Sequence, residues 1–258
     1  MASHADDLSV ALRLADAADE ITTARFRADD LVVDRKPDRT PVTDADTAVE
    51  DAIRAVLAAD RPGDAVLGEE RGGSLGPGRT WIVDPIDGTK NFLRGVPAWA
   101  TLIALVEAGS PVVGVVSAPA FGRRWWASAG AGAFSSFSGG PPRRLRVSGV
   151  RSLSDAYVST TDLMTWGPAR PRYLALLAAC WESRAFGDYW QHCLVAEGAL
   201  DVVAEPVANA WDLAAVQILV TESGGSFTDL SGEPRFDGGS GLATNGHLHE
   251  AALAILRG

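Results

Sequence analysis

The stretch WIVDPIDGTKNF, residues 81–92, constrains this chain more than any other. It begins as a continuous apolar run, the pattern of a strand buried on both faces. It then runs out into Asp84 and Asp87, with Pro85 between them. Pro85 has no N–H to give to a ladder and stops the strand. A turn over residues 84–87 can bring both carboxylates to one side. Gly88 lets the backbone approach a ligand closely. Thr89 then stands at a helix N-terminus, where free N–H groups favour an anion. Two readings stand on this stretch alone: a strand exit with an Asp or Thr helix cap, or a pair of metal-binding carboxylates beside a phosphate loop. Spacing does not decide between them. With 33 acids in 258 residues, chance gives roughly four acid-x-x-acid pairs.

Other elements follow from periodicity. Leu8, Leu12, Ala15, Ala18 and Ile21 predict a helix over 8–26, with acids opposite. Residues 31–43 hold Pro37 and Pro41 and read as an extended loop or hairpin. A second helix begins near Asp44, buries Val49, Ile53, Val56 and Leu57, and ends at Arg61-Pro62-Gly63-Asp64. AVLGEE and TWIVD read as strands ending near Gly68 and Asp84. TLIALVEAGSPVVGVVSAP reads as a hairpin turning at Ala108-Gly109-Ser110. RRWWAS and RRLRVS continue in strand-like alternation. The second half reads as helix (168–180), strand, helix (189–197), strand LDVVAE, helix WDLAAVQILVTESGG, and a last helix over 247–257. Strands and helices mix without strict alternation, which predicts a layered α/β or α+β body.

Composition excludes several functions. The net charge is -10, and no basic face marks a nucleic-acid binder. Arg143, Arg144 and Arg146 form the densest basic stretch and read as a solvated strand edge. No apolar run approaches the roughly 18 residues of a membrane helix. His4, Asp6 and Asp7 stand where a secretion signal would be basic and then apolar, so a cytoplasmic protein is expected. Cys180 and Cys193 read as reduced, buried or half-buried thiols. His4, His192, His247 and His249 show no zinc-like spacing, and the last two read as exposed residues at a helix start.

The acids gain meaning as a group. Asp46 in TDAD and Asp212 in WDLAA each open a helix, where the helix dipole alone favours an acid. Glu69 and Glu70 follow a strand. Four separate segments thus end a strand or open a helix with an acid: Asp46, Glu69, Asp84 with Asp87, and Asp212. Carboxylates converging from these segments would repel unless cations held them, and hard oxygen ligands suit Mg²⁺ or Mn²⁺.

WIVDPIDGTKNF, with GEE upstream and WDLAA downstream, resembles the inositol monophosphatase superfamily of metal-dependent phosphatases. KPDRTPVTDAD, GVVSAPAFGRRWWASAGAGAF, RRLRVS and WDLAAVQILVTESGG fall in family order over nearly the whole chain. The resemblance implies an αβαβα sandwich, a homodimer and two or three Mg²⁺ ions per subunit. It implies a single phosphatase unit over 1–258 with two lobes. Roughly 1–150 would carry most metal ligands and the phosphate loop, and 151–258 the substrate side and the last ligand. Glu69, Asp84 and the Ile86 carbonyl would bind a first metal, and Asp84, Asp87 and Asp212 a second. Asp46 and Glu69 would serve a weaker third site and the attacking water, with Thr89 and Asp46 orienting or deprotonating that water. Gly88 and Thr89 N–H groups would hold phosphate oxygens. Lithium inhibition is expected. Where the family reads Gly-Thr-Thr-Asn this chain has Lys90, which either leans toward the phosphate or is exposed.

Departures from the family pattern bear on substrate. In RAFGDYWQHCLVAEGALD, Asp188 and Glu197 stand where polyol-binding members have small or neutral residues. Either these two acids lie on a solvated helix face, or, beside a phosphate pocket, they call for a cation on the substrate. L-histidinol phosphate carries one, and the pattern resembles the histidinol-phosphate phosphatases of this superfamily. There, the equivalent of Glu197 would reach the site from a partner subunit, and Arg184 would brace Asp188 or touch substrate. The alternatives are an inositol-1-phosphate, sugar or 3'-nucleotide phosphatase of the same superfamily, or a regulatory protein with a decayed site, against which the full acid set argues.

Overall fold

A pair of helices, a buried capping network and a short hairpin set up the first acid. The computed structural model describes residues 4–37 and 40–258. Helix α1 (Ala5–Arg25) buries Val10, Ala11, Leu14, Ala15 and Ala18. Leu8, Leu12 and Ile21, expected innermost, are only partly covered. The small alanines allow the closest approach, so the helix is rotated to face them inward. A hairpin of β1 (Val33–Arg35) and β2 (Pro41–Thr43) follows; positions 38 and 39 lie outside the described residues. Helix α2 (Asp44–Asp60) opens with a capping box. The Thr43 hydroxyl accepts from the Asp46 N–H at 3.4 Å, and Asp46 accepts the Thr43 N–H at 2.8 Å. Ala45, Val49, Ile53 and Leu57, four apart, form its buried stripe.

The first sheet has seven strands in sequence order. They are β3 (Ala65–Gly68), β4 (Thr80–Asp87), β5 (Ala100–Glu107), β6 (Ser110–Ala118), β7 (Arg123–Ser128), β8 (Gly132–Phe137) and β9 (Arg143–Arg144). Only the β3–β4 pair is parallel. Alternate residues of β4 and β5 serve two cores. Trp81, Val83, Ile103 and Leu105 pack with α1 and α2, while Ile82, Leu102 and Ala104 face the other way. Strand β4 does not stop at Asp84 as Pro85 suggested. It continues to Asp87 through a bulge, since Asp84 pairs with Leu102 but Asp87 with Ala100. Pro85 sits where the ladder is already broken. Helix α3 (Thr89–Leu93) follows at once. RRLRVS is strand only at Arg143–Arg144; Leu145 is its one fully buried side chain, and Val147 turns instead to the N–H···O bond with Ser223.

The second sheet has five strands, β10 (Tyr157–Ser159), β11 (Glu182–Arg184), β12 (Val202–Glu205), β13 (Ser226–Thr228) and β14 (Gly241–Thr244), in the order β11-β10-β12-β14-β13. Four further helices complete the layers: α4 (Arg170–Ala179), α5 (Asp188–Glu197), α6 (Ala210–Glu222) and α7 (His249–Arg257). Helices α5 and α6 lie between the sheets, and α4 and α7 cover the outer face of the second. The result is an αβαβα sandwich. Helix α6 is buried without a break from Leu213 to Val220 because both its sides meet a sheet. Gly114 of β6 is required there, since a Cβ would lie 2.7 Å from the Ala215 carbonyl. Among the described residues no helix is long and apolar enough to cross a membrane. Cys193 is buried and Cys180 half-buried, both unpaired. His249 opens α7 but is buried rather than exposed, its ring between the hydroxyls of Thr228 and Thr244 at 3.0 and 3.1 Å.

Candidate active site

Three of the acids singled out in the sequence meet where β4 ends, and Glu69 lies against one of them. Asp84, Asp87 and Asp212 offer oxygens that all lie within 4.8 Å of one another. The bulge turns Asp84 and Asp87, three residues apart, toward one space, and α6 delivers Asp212 from across the inter-sheet layer. Asp212 is built as Asp46 is. It is the third residue of its helix and accepts the Asn209 N–H at 2.6 Å in a capping box. One carboxylate oxygen is thus tied to the backbone. In Asp46 the other, Oδ1, is buried with no partner among the described residues. Glu69, at the exit of β3, contacts Asp84 and adds to its field.

The electrostatics are unfavourable as they stand. Burial, then the charges of Glu69, Asp87 and Asp212, push the Asp84 carboxyl well above the usual range. Burial, then Asp188 and Asp212, do the same to Asp87. Burial raises Asp46 and Asp212 to about 6 each, with Glu69 contributing to both. A fold that crowds acids in this way is suited to a bound hard cation with oxygen ligands. The three convergent carboxylates fit one, and Asp46 Oδ1, buried beyond Glu69, is left without a partner among the described residues.

Around this basket, Ile86 N–H donates to Asp84 Oδ1 at 3.0 Å, and the Ile86 carbonyl accepts the Thr89 hydroxyl at 3.0 Å. Gly88 has a φ of 87°, and a Cβ would sit 2.9 Å from the Ala98 carbonyl and 3.4 Å from Asp188 Oδ2. Asp188 accepts from Asn91 Nδ2 at 3.1 Å, and burial raises its carboxyl against the pull of Lys90. A cleft of about 500 Å³ holds Glu69, Asp87, Gly88, Thr89, Lys90, Asp188 and Asp212. Lys90 therefore lines the cleft and is also exposed.

Two expected residues lie elsewhere. Arg184 is exposed, pairs with Glu182 at 2.8 Å and lies over the Tyr157 ring. Glu197, at the far end of α5 from Asp188, is held by Arg123 and by Trp125 Nε1 at 2.6 Å, in a separate cleft with Arg143, Arg144 and Arg146.

Three residues at the site were not singled out from the sequence. Lys36 sets its ammonium 2.7 Å from both Glu69 and Glu70; burial works to lower its pKa, but the two carboxylates together raise it. The signal was present, since Lys36 and Lys90 are the only lysines. Glu205 ends β12 as Asp84 nears the end of β4, an acid at a strand exit. Burial raises it to about 7, and its Oε1 accepts the Thr161 N–H at 2.8 Å and hydroxyl at 2.7 Å. His192 lies buried on α5. Glu205, His192, Asp188 and the Asp87–Asp212 edge of the basket surround a chamber of about 120 Å³.

A layered αβαβα fold with a carboxylate basket at a bulged strand end and a glycine–threonine turn beside it is that of a metal-dependent phosphatase. Residues 4–258 match the inositol monophosphatase family. The chain is 58% identical to a histidinol-phosphatase of Mycobacterium tuberculosis, over 98% of each chain. It is 51% identical to a histidinol-phosphatase of Streptomyces coelicolor, over 99% of this chain and 98% of that one. A solved inositol monophosphatase of Zymomonas mobilis superposes with a TM-score of 0.87 at 33% identity, all of each chain being covered. The chain belongs to the inositol monophosphatase family.

Proposed function

We propose that this protein hydrolyses L-histidinol phosphate to L-histidinol and phosphate, a step of histidine biosynthesis. The observation that carries the reading is the chamber beside the basket. Its charged lining is Asp87, Asp188, Glu205 and Asp212, with no lysine or arginine among the described residues. A phosphate ester carrying an ammonium or imidazolium away from its phosphate suits both ends of such a cavity. Full-length identity with two histidinol-phosphatases supports the same substrate.

In this reading Glu69, Asp84, the Ile86 carbonyl, Asp87 and Asp212 hold Mg²⁺, with Mn²⁺ as a substitute, and Asp46 with Glu69 supplies a weaker third position. The cations, when bound, neutralise phosphate oxygens, activate the attacking water and stabilise the leaving alkoxide. The residues do the positioning. Gly88 and Thr89 N–H groups take phosphate oxygens at the start of α3. The Thr89 hydroxyl orients the water. Asp46 Oδ1, with its twin oxygen fixed to Thr43, accepts the proton. Asp188 faces the substrate amine. Glu197 serves a second subunit, because within one chain it lies outside the pocket. The enzyme in this view is a cytoplasmic homodimer, and Arg184, held by Glu182 and the Tyr157 ring, takes no part at the site.

Phosphate release over a panel tests the reading: histidinol phosphate, inositol 1-phosphate, fructose 1,6-bisphosphate and 3'-phosphoadenosine 5'-phosphate, with Mg²⁺ and with EDTA. Preference for histidinol phosphate, abolished by EDTA and restored by Mg²⁺, is expected. Preference for another ester overturns the substrate; activity restored by zinc alone overturns the oxygen-ligand argument.

A further inference from the structure

The chamber beside the basket holds a polar group that the reaction as described does not use. His192 is 3% exposed, and its Nδ1 is buried without a hydrogen-bond partner among the described residues. Buried polar atoms are nearly always satisfied, and an unsatisfied one points to a missing partner. His192 lies one helical turn beyond Asp188 on α5, so the two project to the same side. Both line the chamber. Glu205 stands on another wall, anchored through Oε1 by Thr161 and Gln191. Val207 and Leu213 supply apolar lining.

The space is small and well placed. At about 120 Å³ it has room for one nitrogen-bearing group. Asp87 and Asp212 form part of its wall, so an ester whose phosphate sits at the basket extends its alcohol portion here. Neutral imidazole presents one donor and one acceptor nitrogen. Burial lowers the His192 pKa to about 3, which keeps the ring uncharged beside an incoming cation.

We propose that His192 is a specificity-determining residue that hydrogen-bonds the nitrogenous end of the substrate inside this chamber. The proposal rests on the histidinol phosphate reading. The acids attract any cation; His192 adds a directional contact that a neutral polyol does not satisfy in the same way.

The test uses the Mg²⁺-loaded full chain and its His192→Leu variant with histidinol phosphate and glycerol 2-phosphate. The ratio of kcat/KM for the two esters should fall about tenfold in the variant, through KM for histidinol phosphate. A ratio that stays put while the wild type turns over histidinol phosphate overturns the role of His192. A wild type that does not turn it over overturns instead the substrate reading beneath. Should the variant fail to fold, wild-type protein with ¹⁵N-labelled histidine decides. Saturating histidinol should move the His192 ring resonances and glycerol should not; identical spectra overturn the proposal.

Discussion

The Tyr189 N–H donates to Asp87 Oδ2 at 2.5 Å, joining the first turn of α5 to the bulged end of β4 across 102 residues of chain. The bond fixes one oxygen of Asp87 and leaves the other to the basket. Asp87→Asn keeps the shape but removes a charge from the cation site. Mg²⁺-dependent phosphate release should fall more than roughly 100-fold, beyond what losing a merely supporting group costs. Substantial residual turnover would exclude Asp87 as a ligand.

Lys36 occupies the position of a counter-ion between Glu69 and Glu70. In Lys36→Ala the metal-free protein should lose on the order of 1 kcal/mol, a partly exposed pair being worth no more. Added Mg²⁺ should then raise the melting temperature more than in the wild type, since no ammonium competes for Glu69. Calorimetry with EDTA and with Mg²⁺ reads both; an equal gain in the two proteins counts against the competition.

The basket also predicts a pH dependence. Asp46 and Asp212 are raised from the ordinary carboxylate range to about 6. The folded state therefore favours their protonated forms. That stability is present at pH values below about 4 and is lost as the pH rises through 6. EDTA-treated protein should melt progressively lower between pH 4.5 and 7, and Mg²⁺ should flatten the trend. A metal-free melting temperature that climbs over this window would contradict the assigned burial.

Gly88→Ala tests the phosphate turn. Its positive φ and the 2.9 Å approach to the Ala98 carbonyl both oppose a side chain. Destabilisation of roughly 1–3 kcal/mol is expected, with kcat falling further than stability explains. Wild-type stability and activity would show the turn to be relaxed.

Glu197→Gln probes the partner-subunit role. Loss of one charged hydrogen bond is worth about 1.5–3 kcal/mol, roughly ten- to a hundredfold in KM for histidinol phosphate. KM for glycerol phosphate should change little. Equal effects on both esters would remove Glu197 from substrate recognition.

Much of this was legible from residue order. Helix α2 was readable because the apolar stripe of Val49, Ile53, Val56 and Leu57 runs into the Arg61-Pro62-Gly63-Asp64 stop, and β4 to β6 because long apolar runs are bounded by turns. The acids that meet were visible at strand exits and helix starts. What escaped had no local signature. Strands β10, β13 and β14 are three or four residues long and exist only because a sheet receives them. His192 reads as one more polar residue in an apolar helix until the walls around it are known. Glu205 was passed over because LDVVAE reads as a plain strand, and nothing nearby shows that Thr161 and Gln191 await it.

The bulge in β4 makes the spacing of the two aspartates a matter of chain length rather than of chemistry alone. Side chains along a regular strand alternate, so without the bulge two acids three residues apart would face opposite surfaces of the sheet, and a residue added beside Pro85 with the bulge kept would separate them again. Substitutions at Pro85 or Ile86 leave the count intact. Evolution can therefore edit the identity of this segment but not its arithmetic.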